Sequence, residues 1–187
     1  MANNVLLVGP LCAGKTKLAE KLIEKKFLKF KSNSYSIETC RRLHGDNSMS
    51  GELFAWANFL QQIESPPDND NGIYEFSGTG RQVFNVSWAM KTSVFRDPKN
   101  QWLVVYCLAP KSVLLERSKT KVYDAPCPFK MDNVESSIDF MNIELKKNFD
   151  NQREWCNAPR LKFNMNVDDN YDAIANEIIA YFKQQEG

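Results

Sequence analysis

The periodicity of this 187-residue chain predicts an α/β fold of three αβα layers, with a five-stranded parallel sheet and helices on both faces. Three observations predict it. Strand-like and helix-like segments alternate along most of the length. The segment WLVVYCL is a continuous, β-rich apolar run, the pattern of a strand covered on both faces. A glycine-bearing stretch, GPLCAGKT at 9–16, joins the first apolar run to the first amphipathic one.

The expected strands are Asn4–Val8, Phe27–Phe30, Gly72–Phe76, Trp102–Leu108 and Arg160–Met165. The expected helices are Lys15–Lys25, Ile37–Leu43, Gly51–Glu64, Arg81–Phe95, Lys111–Thr120, Val134–Cys156 and Tyr171–Gln185. The last begins after Asp168, Asp169 and Asn170, good capping residues, and sets Ile174, Ile178, Ile179 and Phe182 on one face as core packing. SPPDNDNG at 65–72 and RDPKNQ at 96–101 are turn-rich breaks. VYDAPCPFKMDN at 122–133 has two prolines and no helical period, so it is expected to be a lid-like excursion. Residues 1–187 are read as a single domain with no internal repeat.

Composition narrows the function classes. Hydrophobic residues at 43% and charged residues at 25% describe a soluble globular chain with enough length for a core. A net charge of +1 gives no footprint for duplex nucleic acid, although a local basic cleft for phosphates is compatible with it. Cys12, Cys40, Cys107, Cys127 and Cys156 are scattered and form no C-x-x-C pair, and His44 is the single histidine. A zinc site is therefore not expected, and free thiols in a reducing cytoplasm are. The polar start MANN gives no signal peptide, and no apolar run approaches membrane-spanning length.

GPLCAGKT fits G-x-x-x-x-G-K-[ST], with Gly9, Gly14, Lys15 and Thr16 at the fixed positions. Glycines let a backbone curl until successive N–H groups face phosphate oxygens. Lysine brings a point charge to the outer phosphates, threonine offers a hydroxyl to Mg²⁺, and the next helix adds its positive end. The loop Gly9, Pro10, Leu11, Cys12, Ala13, Gly14, Lys15, Thr16 and Lys17 is thus a candidate site for ATP with Mg²⁺. Cys12 reads as a tolerated variable position of that loop.

A phosphate loop alone does not separate kinases, GTPases, motors and switches; a carboxylate near the metal is also needed. Glu75 ends a short apolar strand, where ligands of parallel sheets gather. It is a candidate to take the acceptor's proton or to hold water in the metal's shell, against the plainer reading of an exposed strand-end glutamate. No Asn-Lys-x-Asp follows the fourth strand, and WLVVYCLAP ends without an acid. Those absences weigh against GTPases and motors and leave small kinases as the leading class.

These residues resemble the nucleotide kinases of the P-loop NTPase superfamily, with adenylate kinase the nearest pattern. SIETCR at 36–41 is similar to the family's acceptor-facing segment. The resemblance implies acceptor binding by Ser36 and Arg41, with Arg42 the competing choice. EFSGTGRQ at 75–82 is similar to the strand-end acid followed by arginine and glutamine, with Arg81 displaced by two residues. LAPKSVLLER at 108–117 matches best, and implies that Arg117 faces the triphosphate from the entry to the lid. NVDDNYDAIANEII at 166–179 is similar to the closing loop and helix that border the adenine.

The departures matter too. Lys121 stands where the family has a second lid arginine, and the helix after the excursion carries Lys146, Lys147 and Arg153 where arginines are usual. Lysine neutralises charge but lacks the bidentate fork.

The resemblance thus implies an acceptor-binding region about 34–65, a lid about 118–133, and γ-phosphoryl transfer to a nucleoside monophosphate. Lys15, Glu75 and Arg117 are the candidate catalytic residues, Arg117 and Lys121 would meet the donor's charge, and Thr16 with Glu75 would hold the metal. A nucleoside or other small hydroxylated acceptor is the alternative, as is an ATP-binding switch without turnover. Phe54, Trp56, Phe59, Phe84 and Trp88 are either a stacking surface for an acceptor base or ordinary core.

Overall fold

The computed structural model describes residues 1–66, 68–77, 81–128, 133–150, 158–166 and 170–186, leaving aside the side chains of Arg81, Phe149 and Asp150. Its elements run β1 (Ala2–Val8), α1 (Lys15–Glu24), β2 (Tyr35–Ser36), α2 (Ile37–His44), α3 (Met49–Glu64), β3 (Gly72–Phe76), α4 (Arg81–Arg96), β4 (Asn100–Leu108), α5 (Lys111–Ser118), α6 (Val134–Asp150), β5 (Arg160–Asn164) and α7 (Tyr171–Gln185). The strands lie side by side in the order β2-β3-β1-β4-β5. All of the pairings are parallel.

The period of two along β1 builds both cores. Val5 and Leu7 point to one face, where they meet Leu18 and Leu22 of α1, Leu114 of α5, and Ile174, Ile178 and Phe182 of α7. Leu6 and Val8 point to the other, against Phe59 and Ile63 of α3 and Val83, Val86 and Met90 of α4. Helices therefore cover both faces, and all seven β1 residues are buried. The chain goes from β1 outward to β2, returns to β3 beside β1, and then crosses to β4 on the other side. β1 is thus the turning point of the sheet, and its carboxyl end is where such sheets hold ligands.

Several boundaries differ from the sequence expectation. Phe27–Phe30 is not a strand; the Phe27 N–H donates to the Leu22 carbonyl, and the amides of Lys29 and Phe30 are taken by a side chain instead of a neighbouring strand. The buried Asp70 carboxylate accepts from the N–H groups of Lys29, Phe30 and Lys31 at 2.6, 2.9 and 2.9 Å. Phe27 and Leu28 still join the core. The second strand is Tyr35–Ser36, and it pairs with Tyr74 and Glu75. The third helix starts at Met49 rather than Gly51 because Ser48 caps it, accepting from the Gly51 N–H. Asp168, Asp169, Arg153 and Cys156 lie outside the described residues. Asn170 occupies the N-cap of α7 without a side-chain cap bond; its amide donates to the Asn164 carbonyl at 2.9 Å.

Burial alone would raise the Asp70 pKa, but the backbone N–H bonds outweigh it and hold the carboxyl below its ordinary range. A group with a depressed folded pKa stabilises above its unfolded value and loses that contribution as pH falls through the folded one. Asp70→Ala is expected to cost about 2–4 kcal/mol, since four backbone amides, that of Asn71 included, lose a charged acceptor. Urea unfolding near neutral pH measures this, and a change below about 1 kcal/mol would show that the knot carries little stability.

Candidate active site

The loop after β1 is shaped by its glycines. The Gly9 N–H donates to the Phe76 carbonyl at 3.2 Å, and a Cβ on Gly9 would come 2.6 Å from the Cys107 carbonyl oxygen. Gly14 has φ +89°, and a Cβ there would collide with the Tyr171 hydroxyl. Cys12 also takes a left-handed conformation, with φ 62°. Left-handed residues on either side of Ala13 give the alternating backbone that gathers N–H groups into a concave, anion-binding nest. Gly14 is the N-cap of α1, with no side-chain cap and no acid in the first turn. The positive end of that helix is therefore left to a ligand. Gly14→Ala is expected to destabilise the fold by about 2–3 kcal/mol through backbone strain and the Tyr171 clash. Denaturant unfolding measures this, and an unchanged midpoint would mean that the loop relaxes freely.

Lys15 is buried inside this loop, and its ammonium donates to the carbonyls of Gly9 and Pro10, each at 2.8 Å. Burial pushes its pKa down from 10.5 to about 8, partly opposed by Cys107 and Glu75 nearby. A bound anion favours the charged form and opposes this shift.

Glu75 lies on the same face of the sheet as Ile73 and Leu7, opposite Leu7 in register. That face carries α1, and the geometry brings the carboxylate to the helix's first turn. The Thr16 hydroxyl donates to Glu75 Oε2 at 2.6 Å, and the Ser34 hydroxyl donates to Oε1 at 2.6 Å. The carboxylate is 8% exposed. A hydroxyl and a carboxylate side by side next to a phosphate cradle are the hard oxygen donors that Mg²⁺ prefers.

On the other side of the loop, Arg117 donates through Nη2 to the Met165 carbonyl at 2.7 Å and through Nη1 to the Cys12 carbonyl at 3.5 Å. It therefore ties α5 to the loop and to the chain after β5. Lys121 lies over the Tyr123 ring at 5.1 Å, and Lys17 lies over the Tyr171 ring at 4.8 Å. The segment after α5 crosses toward α2. The Tyr123 hydroxyl lies 3.4 Å from Cys12 Sγ, Asp124 pairs with Arg42 at 2.6 Å, and the Cys127 N–H donates to Asn47 Oδ1 at 3.0 Å. Residues 129–132 of the expected lid are outside the described ones.

α2 and α3 form the remaining wall. Ser36 caps α2, accepting from the Thr39 N–H at 3.0 Å. Arg41 forks onto Glu52 with Nε at 2.7 Å and Nη2 at 2.5 Å, and the Trp56 indole N–H donates to the same carboxylate at 2.9 Å. Burial would lower the Arg41 pKa, but the hydrogen bonds and charge of Glu52 more than offset it and leave it raised. A single cavity of about 860 Å³ joins these parts, lined by the loop, Ser36, Arg41, Trp56, Glu75, Gln82, Arg117, Lys121 and Tyr171 among others.

No family model matches this sequence, and no curated protein matches it at a significant level. Solved structures do match the fold. Shikimate kinase from Acinetobacter baumannii in complex with shikimate aligns over 99% of this chain and 95% of its own, with TM-score 0.63 and 16% identity. Deoxyadenosine kinase from M. mycoides, with dCMP and dCDP bound, aligns over 97% and 99%, with TM-score 0.60 and 11% identity. A sugar kinase from Janibacter sp. HTCC2649 aligns over 96% and 95%, with TM-score 0.57 and 10% identity. The fold is that of the P-loop kinases.

Within this P-loop kinase fold, the residues singled out from sequence converge unevenly. Gly14, Lys15, Thr16, Lys17, Ser36, Arg41, Glu75, Arg117 and Lys121 all line the one cavity. The side chain of Arg81 lies outside the described residues. The aromatic set divides: Trp56 lines the cavity and Phe59 is buried core, while Phe54, Phe84 and Trp88 face solvent. Ser34, Glu52, Tyr123 and Tyr171 carry site contacts that sequence reasoning did not assign. Glu52 left a signal, because it shares the buried stripe of Ala55, Phe59 and Ile63, and an acid on such a stripe needs a partner. No helix among the described residues is long and apolar enough to cross a membrane.

Proposed function

We propose that this chain is an ATP-dependent phosphotransferase acting on a small-molecule acceptor. One observation carries the reading: Lys15, Thr16 and the strand-end Glu75 meet at the mouth of a phosphate-shaped loop, in the same cavity as a wall from α2 and α3. The backbone N–H groups of residues 11–16 hold the donor's phosphates, and Lys15 neutralises the outer oxygens. Thr16 and Glu75 would hold Mg²⁺, which when bound draws charge from the phosphates. Glu75 either takes the acceptor's proton or serves the metal's shell, and Arg117 with Lys121 meets charge on the transferred group as the segment after α5 excludes water. The acceptor oxygen forms a bond to the γ-phosphorus, and the bridging bond breaks with its electron pair leaving on ADP.

The resemblance to adenylate kinases implies a nucleoside monophosphate acceptor; a nucleoside or other small hydroxylated metabolite is the alternative. The two differ in whether Ser36, Arg41 and Arg81 must grip a phosphate. The free thiols of Cys12, Cys40, Cys107 and Cys127 support placing the protein in a reducing cytoplasm. ADP release measured over nucleosides, their monophosphates and small hydroxylated metabolites tests the reading. At least one acceptor is expected to raise ADP release about tenfold or more over ATP alone. If none does, an ATP-binding switch without turnover takes the place of the kinase.

A further inference from the structure

We infer that the acceptor is a molecule without a phosphate at the Arg41 end, a neutral hydroxylated compound with an apolar ring face such as a nucleoside. This rests on the phosphotransferase reading above and concerns the acceptor half of the same cavity. Five cationic side chains line that cavity among the described residues: Lys15, Lys17, Arg41, Arg117 and Lys121. Four belong to the phosphate loop and the α5 side, so among the described residues Arg41 is the cation on the acceptor wall of α2 and α3.

Arg41 is already engaged. Glu52 takes Nε and Nη2 together, the fork that a phosphate would use. Glu52 cannot readily turn aside. Its side chain is 5% exposed and sits on the buried stripe of α3, and its Oε1 also accepts from Trp56. An arriving phosphate must either displace Glu52 and leave a buried carboxylate with an indole N–H alone, or approach close to that carboxylate. Both are unfavourable. The surroundings add negative charge. Glu38 also lines the cavity, and its partner Arg42 is shared with Asp124, so two arginines here face three carboxylates.

A neutral acceptor meets none of these costs. Arg41 Nη1 has no partner among the described residues and can donate to a hydroxyl or carbonyl oxygen. Asn47 and Gln82 offer further polar contacts, and Ile37, Trp56 and Met141 give an apolar wall for a ring.

The test pairs nucleosides and neutral polyols with their own monophosphates, each assayed with ATP for ADP release and for the mass of the product. The unphosphorylated member is expected to have a kcat/KM at least about tenfold higher. If monophosphates alone are phosphorylated, this inference falls and the phosphotransferase reading stands. If no member of any pair is phosphorylated, both fall. Glu52→Gln removes the competing charge and is expected to shift the preference toward the monophosphate by about tenfold; an unchanged preference in a folded variant counts against the pair's role.

Discussion

Lys15→Ala is expected to lower kcat/KM for phosphoryl transfer about a thousandfold, the scale of losing a preorganised charge at the reacting phosphate. The side chain touches the loop carbonyls at both Gly9 and Pro10, so its loss removes a contact in the free protein as well as one to the donor. Steady-state kinetics with saturating acceptor measures the effect, and a loss below about tenfold would remove Lys15 from the site.

The same lysine has a pH signature. Its folded pKa of about 8 lies below the ordinary 10.5, so between these values the unfolded chain binds more protons. Stability therefore rises with pH across that window, while below it the buried charge is a constant cost. Bound phosphate favours the ammonium and raises its pKa. ATP affinity is thus expected to fall by up to about tenfold per pH unit above the folded value. Calorimetric titrations from about pH 7 to about pH 9.5 read this directly, and a flat profile would show that another group meets the phosphates.

Glu75→Gln is the second large effect. It keeps the shape but removes the negative charge and the proton-accepting capacity, and kcat is expected to fall about a hundred- to a thousandfold. The amide keeps an acceptor oxygen for one of the two hydroxyls of Thr16 and Ser34, and the other can turn to accept from its NH₂, so folding is expected to survive. Unchanged turnover would leave Glu75 as a loop anchor and send the search for a base elsewhere in the cavity.

What was legible in the sequence was local. The loop pattern and the strand before it placed Lys15 and Thr16, and the strand-end position placed Glu75, because these depend on short spacing and on which face a strand residue takes. The Phe27–Phe30 run misled, since an apolar run looks alike whether its amides meet a strand or, as at Lys29 and Phe30, a carboxylate some forty residues away in sequence. Tyr35–Ser36 was invisible as a strand because two residues are too short for any period. The Arg41–Glu52 pair joins two helices across a corner. Spacing within either helix cannot announce it, and only the acid on the buried stripe of α3 hints at a partner.

The brevity of Tyr35–Ser36 has a use at the sheet's border. Outer strands invite a foreign strand to add on, and long, flat, apolar ones invite it most. Here one border is two residues long, and the other, Arg160–Asn164, alternates Arg160 and Lys162 with Leu161 and Phe163. Neither is a good template for cross-chain stacking. Among the described residues, exposed apolar side chains stand instead on helix surfaces such as that of α4, with Phe84, Trp88 and Phe95.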